Sequence, residues 1–409
     1  MRISPLSRVR PRSIKPFAAG RTGFALTAGL GLAVATGLST AAGAAPVPES
    51  VPASGAGVAA AAGSESGVAS AAAARSESGV ASGAAVVSEA GAAVGAPGGL
   101  PVTLRSAQRA LSDQSTRALA QAVAVDALAQ STETGGAAPA LAASRLAAAK
   151  RDLVVDVRSA TAGWARGVAY IEAPSVEHAA PQGWLFVARH VGGRWVTGLE
   201  GDQEFAGLVA TSPLVPAAER GTLKAFAEKK ATATNGTLAA TGLLLPWMPD
   251  YYMTMSGGPH AWDGGSGPWS SLDFAGGNAS GIVRSSGSGT ATSMCGAGGG
   301  WTRVIHPNGF STDYYHMHST TYYNGTAVGR SAYLGVIGVD VCAGGAASGA
   351  HVHWGLRTYD AAMNGQYTNL HGRGIGGWTF YHGTAQYGGY ATRLGVTAYP
   401  GHAIYNRLS

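Results

Sequence analysis

The last part of the sequence predicts an all-β domain of about 170 residues, and the part before it a smaller α+β domain. Three observations carry that division. Fourteen of the fifteen tyrosines lie beyond residue 246, with six of the nine tryptophans and nine of the eleven histidines, while no lysine follows Lys230 and no glutamate follows Glu228. Beyond residue 240, short apolar or alternating runs are separated by Gly, Asn and Ser clusters, the punctuation of strands and turns. Between 101 and 240 the chain opens instead with Ala/Leu/Arg-rich stretches of helical periodicity and continues into strand-like runs.

Each segment has its own physical signature. Residues 1–44 read as a secretory signal peptide: a basic start (Arg2, Arg8, Arg10, Arg12, Lys15, Arg21), an apolar stretch from Phe24 to Leu38, and the small-residue site Ala42-Gly43-Ala44. A membrane anchor, the alternative, needs about 20 mostly apolar residues, and this run is short and rich in Gly and Thr. No second apolar run is long enough to span. Residues 45–100 are nearly all Ala, Gly, Ser and Val, with SESGVAS at Ser64–Ser70 and again at Ser76–Ser82. Without aromatic residues they bury too little surface to offset chain entropy, which predicts a disordered linker. In 101–240, helices are expected over Leu104–Gln130, Leu141–Val157 and Ala217–Lys230, and strands over Gly167–Ile171, Trp184–His190 and Arg194–Leu199, the last two joined at Gly192-Gly193. In 241–409 the clearest hairpin joins Trp301–Pro307 to Phe310–His316 through Asn308-Gly309.

Charge and cysteine content bound the function. The formal net charge of +6 is small for 409 residues, and much of it sits in the first 21. From 240 onward seven arginines face six aspartates, so a broad basic surface for nucleic acid is excluded. Two cysteines are too few for a disulfide-framed mini-protein or a Cys-based structural zinc site. The titratable residues of 101–240 show no catalytic spacing.

Three clusters in the last domain concentrate the chemistry. His351 and His353 lie in the apolar run AHVHWGL; side chains alternate along a strand, so these two imidazoles point the same way. Two imidazoles on one buried face are costly unless something binds them, and neutral imidazole is a good divalent-metal ligand. A pair of surface histidines on an edge strand is the plainer alternative. His260, in Gly257-Gly258-Pro259-His260, and Asp273, thirteen residues on, add a nitrogen and an oxygen donor. Two His and one carboxylate leave a fourth tetrahedral position open, as catalytic zinc sites do. Such a site needs a base for water, and with no glutamate in this domain the base is a His, Asp or Tyr. His316 and His351 are the natural candidates, with His318 on the face of His316 if that strand continues. His306, His371, His382 and His402 read as ordinary polar or turn residues.

The ordered set GGPH, then Asp273, then YYHM at Tyr314–Met317, then HVHWG, resembles the zinc metalloendopeptidases of the lysostaphin and beta-lytic type. The resemblance covers roughly residues 240–409. It implies His260, Asp273 and His353 as ligands of one zinc ion per catalytic domain, and His316 and His351 as the pair that activates water and steadies the oxyanion. A tyrosine of the C-terminal part, Tyr381, is a candidate second donor to the oxyanion that no spacing singles out. The resemblance also implies an antiparallel β-sheet with a groove over the metal, a Cys295–Cys342 disulfide, and a propeptide in residues 101–240. The implied protein is a secreted, extracellular, monomeric, bacteriolytic proenzyme that cuts Gly-Gly or Gly-Xaa bonds of peptidoglycan cross-bridges or glycine-rich peptides. A non-catalytic activator of another wall hydrolase and a peptidoglycan amidase are the competing readings.

Overall fold

Alternation along three neighbouring strands builds the first sheet. In Leu153–Ala160, Leu153, Val155 and Val157 enter one apolar cluster and Val154 another; in Trp164–Ile171, Ala165, Ala169 and Ile171 take the first side and Val168 and Tyr170 the second; in Gln182–Val191, Trp184, Phe186 and Ala188 oppose Leu185 and Val187. Both faces are therefore buried, and each must be covered. The helices Asp113–Gln130 and Pro139–Ala148 cover the first face, through Leu119, Val123, Leu128 and Leu146. The longer helix is capped by Ser112, whose hydroxyl accepts from Ser115 N at 3.2 Å, and the shorter has Pro139 at its start, where a missing N–H costs nothing. The helix Gln203–Thr211 and residues of Ala217–Thr234 lie on the second face, which they share with the C-terminal domain.

The computed structural model describes residues 92–93, 99–106, 110–234, 240–359 and 365–407. The expected signal peptide and almost all of the expected linker lie outside the described residues. Those described belong to one unit, Gly83–Ser409. Two helical expectations are corrected. Thr103–Ser106 and Leu153–Ala160 are strands that pair in parallel, so the first helix starts at Asp113 and the second ends at Ala148. The Leu-Val-Val-Asp-Val run of the second stretch is β-branched with an inside–outside alternation, and sheet pairing overrides the helical character of the residues before it.

The C-terminal domain is all-β. Its main sheet has nine strands, with the order Asn324–Val328, Gly289–Ser293, Thr302–Ile305, Phe310–Tyr315, Val352–Tyr359, Trp269–Ala275, Tyr252–Ala261 and Ala403–Tyr405, and Gly365–Tyr367 pairing beside Val352–Tyr359. All these pairs are antiparallel, and the Asn308-Gly309 hairpin is present as expected. One face packs Leu272, Phe274, Tyr314, Val352, Trp354 and Leu356 against Ile375, Trp378 and Phe380 of a four-stranded sheet. The opposite face carries Asp273, Tyr315 and His353, and part of it meets the N-terminal sheet. Trp262, Met294, Trp301, Ile305 and Tyr315 form one cluster with Tyr170, Leu185 and Val187. A buried ionic group crosses the same boundary: Arg303, held by Asp313 at 3.0 Å, also contacts Glu200 at 2.9 Å, and Glu200 reaches Arg357 at 3.1 Å. These opposite charges keep the Arg303 guanidinium protonated well beyond its ordinary range despite burial. Cys295 and Cys342 are disulfide-bonded across 47 residues of sequence.

His306 is a structural histidine. Its Nδ1–H donates to Ser288 O and its Nε2 faces the Thr312 hydroxyl, each at 2.9 Å. Burial pushes its pKa down to about 4 from 6.5, against a small opposing pull from the Ser288 carbonyl. The unfolded chain therefore binds this proton more readily than the folded one. The stabilising effect of the neutral ring is complete above about pH 6.5 and is lost as pH falls toward 4, by roughly 3 kcal/mol. Denaturant unfolding at pH 7 and pH 4.5 should show a smaller pH-dependent loss in His306→Asn than in the parent chain.

Candidate metal centre

Strand register brings the donors together. His353 lies directly across from Asp273 on one side and from Tyr315 on the other. His260 comes from the neighbouring strand, which bulges between Gly257 and His260. The bulge needs its glycines: a Cβ on Gly257 would stand 2.6 Å from Asp273 Oδ2, and one on Gly258 1.9 Å from Gly388 O. His260, Asp273 and His353 are all buried.

Asp273 is the centre of the group. Its Oδ1 lies 3.2 Å from His353 Nδ1, 3.6 Å from His260 Nε2 and 3.8 Å from His351 Nε2. Burial pulls its carboxyl upward, but His260, His353 and His351 together outweigh burial and hold it below the usual carboxylate range. Burial likewise lowers the His260 pKa to about 4, more than Asp273 raises it. His260 Nδ1–H donates to Gly258 O at 2.7 Å, which leaves Nε2 with its lone pair facing Asp273. That Nε2 and Asp273 Oδ1 are buried without a hydrogen-bond partner. Two unpartnered acceptor atoms in a buried site, beside the His353 imidazole, fit a divalent cation of intermediate hardness such as zinc.

Two further imidazoles border this set. His316 and His351 have ring centroids 4.8 Å apart, and they form a second group with His353 whose ligand atoms lie within 4.8 Å of one another. Nδ1–H of His316 donates to Asp340 O at 2.8 Å and that of His351 to Gly349 O at 2.7 Å, which turns the Nε2 edge of each ring away from those carbonyls. Burial, then His353 and His351, push the His316 pKa down to about 3. His318 stands apart, bonded to Ser319 on the exposed side.

Tyr381 is not at this centre. It stacks on Tyr390 at 5.0 Å and meets His371 edge-on. The tyrosine at the site is Tyr387, stacked on His260 at 4.0 Å, with a buried hydroxyl that lacks a partner. Burial and the Asp273 charge push its pKa up, so it remains a phenol. Its sequence context, Gln386-Tyr387-Gly388-Gly389, carries no signal of this placement. The cleft at the centre has a volume of about 420 Å³ and is lined also by Glu177 and His178 of the N-terminal domain, which sequence reasoning passed over. His178, His316 and Tyr387 all have left-handed backbone, at φ of 67°, 66° and 66°.

No family model matches the chain. Over 134 residues, 30% of this chain and 70% of the relative, it is 31% identical to the beta-lytic metalloendopeptidase of Lysobacter enzymogenes. The chain belongs to the beta-lytic metalloendopeptidase family. It is also 32% identical over 154 residues to Protease LasA of Pseudomonas aeruginosa, a match that spans 35% of this chain and about a third, 34%, of that protein. The solved deep-sea metalloprotease pseudoalterin is 32% identical, with 40% of this chain and 97% of that one covered and a TM-score of 0.35. Among the described residues, no helix of this beta-lytic family member is long and apolar enough to cross a membrane.

If the donors hold a cation, His260→Ala, Asp273→Asn and His353→Ala should each lower bound zinc from about one per chain toward none, while His306→Asn keeps it. Elemental analysis of purified protein, with circular dichroism to check folding, measures this.

Proposed function

We propose that the chain is a secreted zinc metalloendopeptidase that hydrolyses Gly-Gly or Gly-Xaa bonds in peptidoglycan cross-bridges and lyses bacteria. We further propose that residues 1–44 are a signal peptide, 45–100 a linker, 101–240 a propeptide and 241–409 the catalytic domain. The observation that carries the reading is the convergence of His260, Asp273 and His353 around unpartnered donor atoms, beside the imidazoles of His316 and His351. The beta-lytic metalloendopeptidase and Protease LasA, both similar in sequence, support the same chemistry.

In this reading His260 Nε2, Asp273 Oδ1 and His353 hold zinc, with Gly258 O fixing the His260 ring from behind. Zinc bound there supplies Lewis-acid polarisation of the substrate carbonyl and lowers the pKa of water to about 7. His316, fixed by Asp340 O, takes the proton from the attacking water at Nε2. His351 stands close enough to share that work. The protonated imidazole then gives its proton to the leaving amine as the C–N bond breaks. Tyr387, a buried phenol without a partner, donates to the carbonyl oxygen as it gains charge, the role that sequence reasoning offered to Tyr381.

Three measurements test the reading. Digestion of cell walls and defined cross-bridge peptides, read by product mass, should show new amino termini inside the glycine bridge. Release at the sugar–peptide bond would make the enzyme an amidase, and no product with zinc present would make the chain a non-catalytic activator. His316→Ala should lower kcat by about 10²–10⁴, and Tyr387→Phe by about a hundredfold, with zinc content retained in both. Chelation should abolish hydrolysis and added zinc restore it.

A further inference from the structure

One short stretch, residues 336–342, lies against the backbone of both bordering imidazoles. Gly338 and His351 exchange two hydrogen bonds, Gly338 N to His351 O at 3.2 Å and His351 N to Gly338 O at 3.0 Å. Val336 and His318 exchange two more, each at 2.9 Å. Asp340 then meets His316 twice. Its N–H donates to His316 O at 3.3 Å, and its carbonyl accepts from the His316 ring at 2.8 Å. His316 needs such a hold, because its backbone is left-handed, at φ of 66°, a region that side chains disfavour.

The Asp340 side chain holds the stretch in place. Its Oδ1 accepts from Gly300 N and from Cys342 N, each at 2.9 Å. The first bond spans 40 residues of sequence, and Gly300 O in turn accepts from Met317 N, the residue after His316, at 3.1 Å. The second closes a local turn whose far residue is disulfide-bonded to Cys295. Only glycine fits opposite Asp340: a Cβ on Gly300 would stand 2.6 Å from Asp340 Cβ and 2.2 Å from Met317 O. A Cβ on the neighbouring Gly299 would meet Cys295 Cβ at 2.5 Å. One carboxylate oxygen therefore ties three segments together at the point where the His316 ring is fixed. Both of its bonds come from neutral N–H groups, which an amide oxygen also accepts.

We propose that Asp340 is a positioning residue for the imidazole that activates water. Its carbonyl fixes the His316 ring, and its carboxylate, anchored on Gly300 N and Cys342 N, keeps that carbonyl in line. His316 thereby presents Nε2 to the centre in one orientation, and Gly338 of the same stretch sets the backbone of His351. The proposal rests on the endopeptidase reading for what His316 does. It goes beyond that reading in assigning the geometry of the base to a side chain whose hydrogen bonds go to backbone outside the donor set.

The test uses the full chain, with variants in the same covalent state as the parent on a gel and rates normalised to bound zinc. Asp340→Ala removes both bonds. Asp340→Ser is the milder change and guards against misfolding: its short hydroxyl reaches Cys342 N in a local turn but not Gly300 N. Asp340→Asn keeps an oxygen for both. One readout is hydrolysis of a fluorogenic oligoglycine peptide. The other is solvent exchange of the His316 Nδ1–H, followed by proton–nitrogen correlation spectra. The buried Trp354 indole N–H, which donates to Ser286 Oγ at 3.1 Å, controls for general loosening. With KM unchanged, kcat should fall about a hundredfold in Asp340→Ala and about tenfold in Asp340→Ser, and stay within about threefold of the parent in Asp340→Asn, because a misaligned base is missed only in the transition state. Exchange at His316 should quicken in the Ala and Ser variants and stay unchanged at Trp354. Parent-like kcat and exchange in both folded variants would overturn the assignment. So would equal quickening at Trp354, or an Asn variant as impaired as the Ala variant. Faster exchange confined to His316, with no hydrolysis by the parent chain, would uphold the positioning role and refute the endopeptidase reading.

Discussion

One carboxylate organises the centre. Asp273 Oδ1 has imidazole nitrogens of His353, His260 and His351 within 3.8 Å, on a sheet face with little access to water. An ionised oxygen so placed must be balanced, because desolvating an unpaired charge is expensive. The balance dictates much of what surrounds it: a register that sets His353 opposite Asp273, a glycine bulge that lets His260 turn inward, and the Gly388 loop that closes on that bulge. Backbone carbonyls of Gly258, Asp340 and Gly349 each fix one imidazole ring, so the rings cannot rotate away from the centre.

The centre was legible in the sequence because its parts are local patterns. His351 and His353 at a spacing of two on an apolar strand announce their shared direction, and His260 stands out in a Gly-Gly-Pro-His turn; that this turn is a strand bulge is visible only in the structure. The hairpin at Asn308-Gly309 was legible for the same reason. What escaped depends on contacts between distant segments. Leu153–Val157 looked continuous with the helix before it, and only its pairing with Thr103–Ser106 and Trp164–Ile171 makes it a central strand. Tyr387 was missed because a Gly-rich loop carries no periodicity, and its position is fixed by the close approach of Gly388 to Gly258. Glu177 and His178 were missed because nothing in Ala-Pro-Ser-Val-Glu-His marks a strand that leaves its own sheet for another.

The two sheets meet through faces that each would otherwise expose large aromatic side chains. Trp262 and Trp301 lie within a cluster that includes Tyr170, and Trp262 also packs edge-on against His353 at 4.6 Å. Packing at the boundary and geometry at the donors are therefore mechanically linked. Trp262 and Tyr315 both belong to the boundary cluster and both adjoin His353.

The Arg303–Glu200–Arg357 group gives this boundary a temporal meaning. If residues 101–240 are the propeptide proposed above, a cut between residues 234 and 240 would break one covalent bond and none of the contacts just described. The severed part would still be held through apolar surface and through a carboxylate whose withdrawal would strip two buried guanidinium groups of a counter-charge. Scission and separation would then be distinct events, the second governed by a dissociation rate.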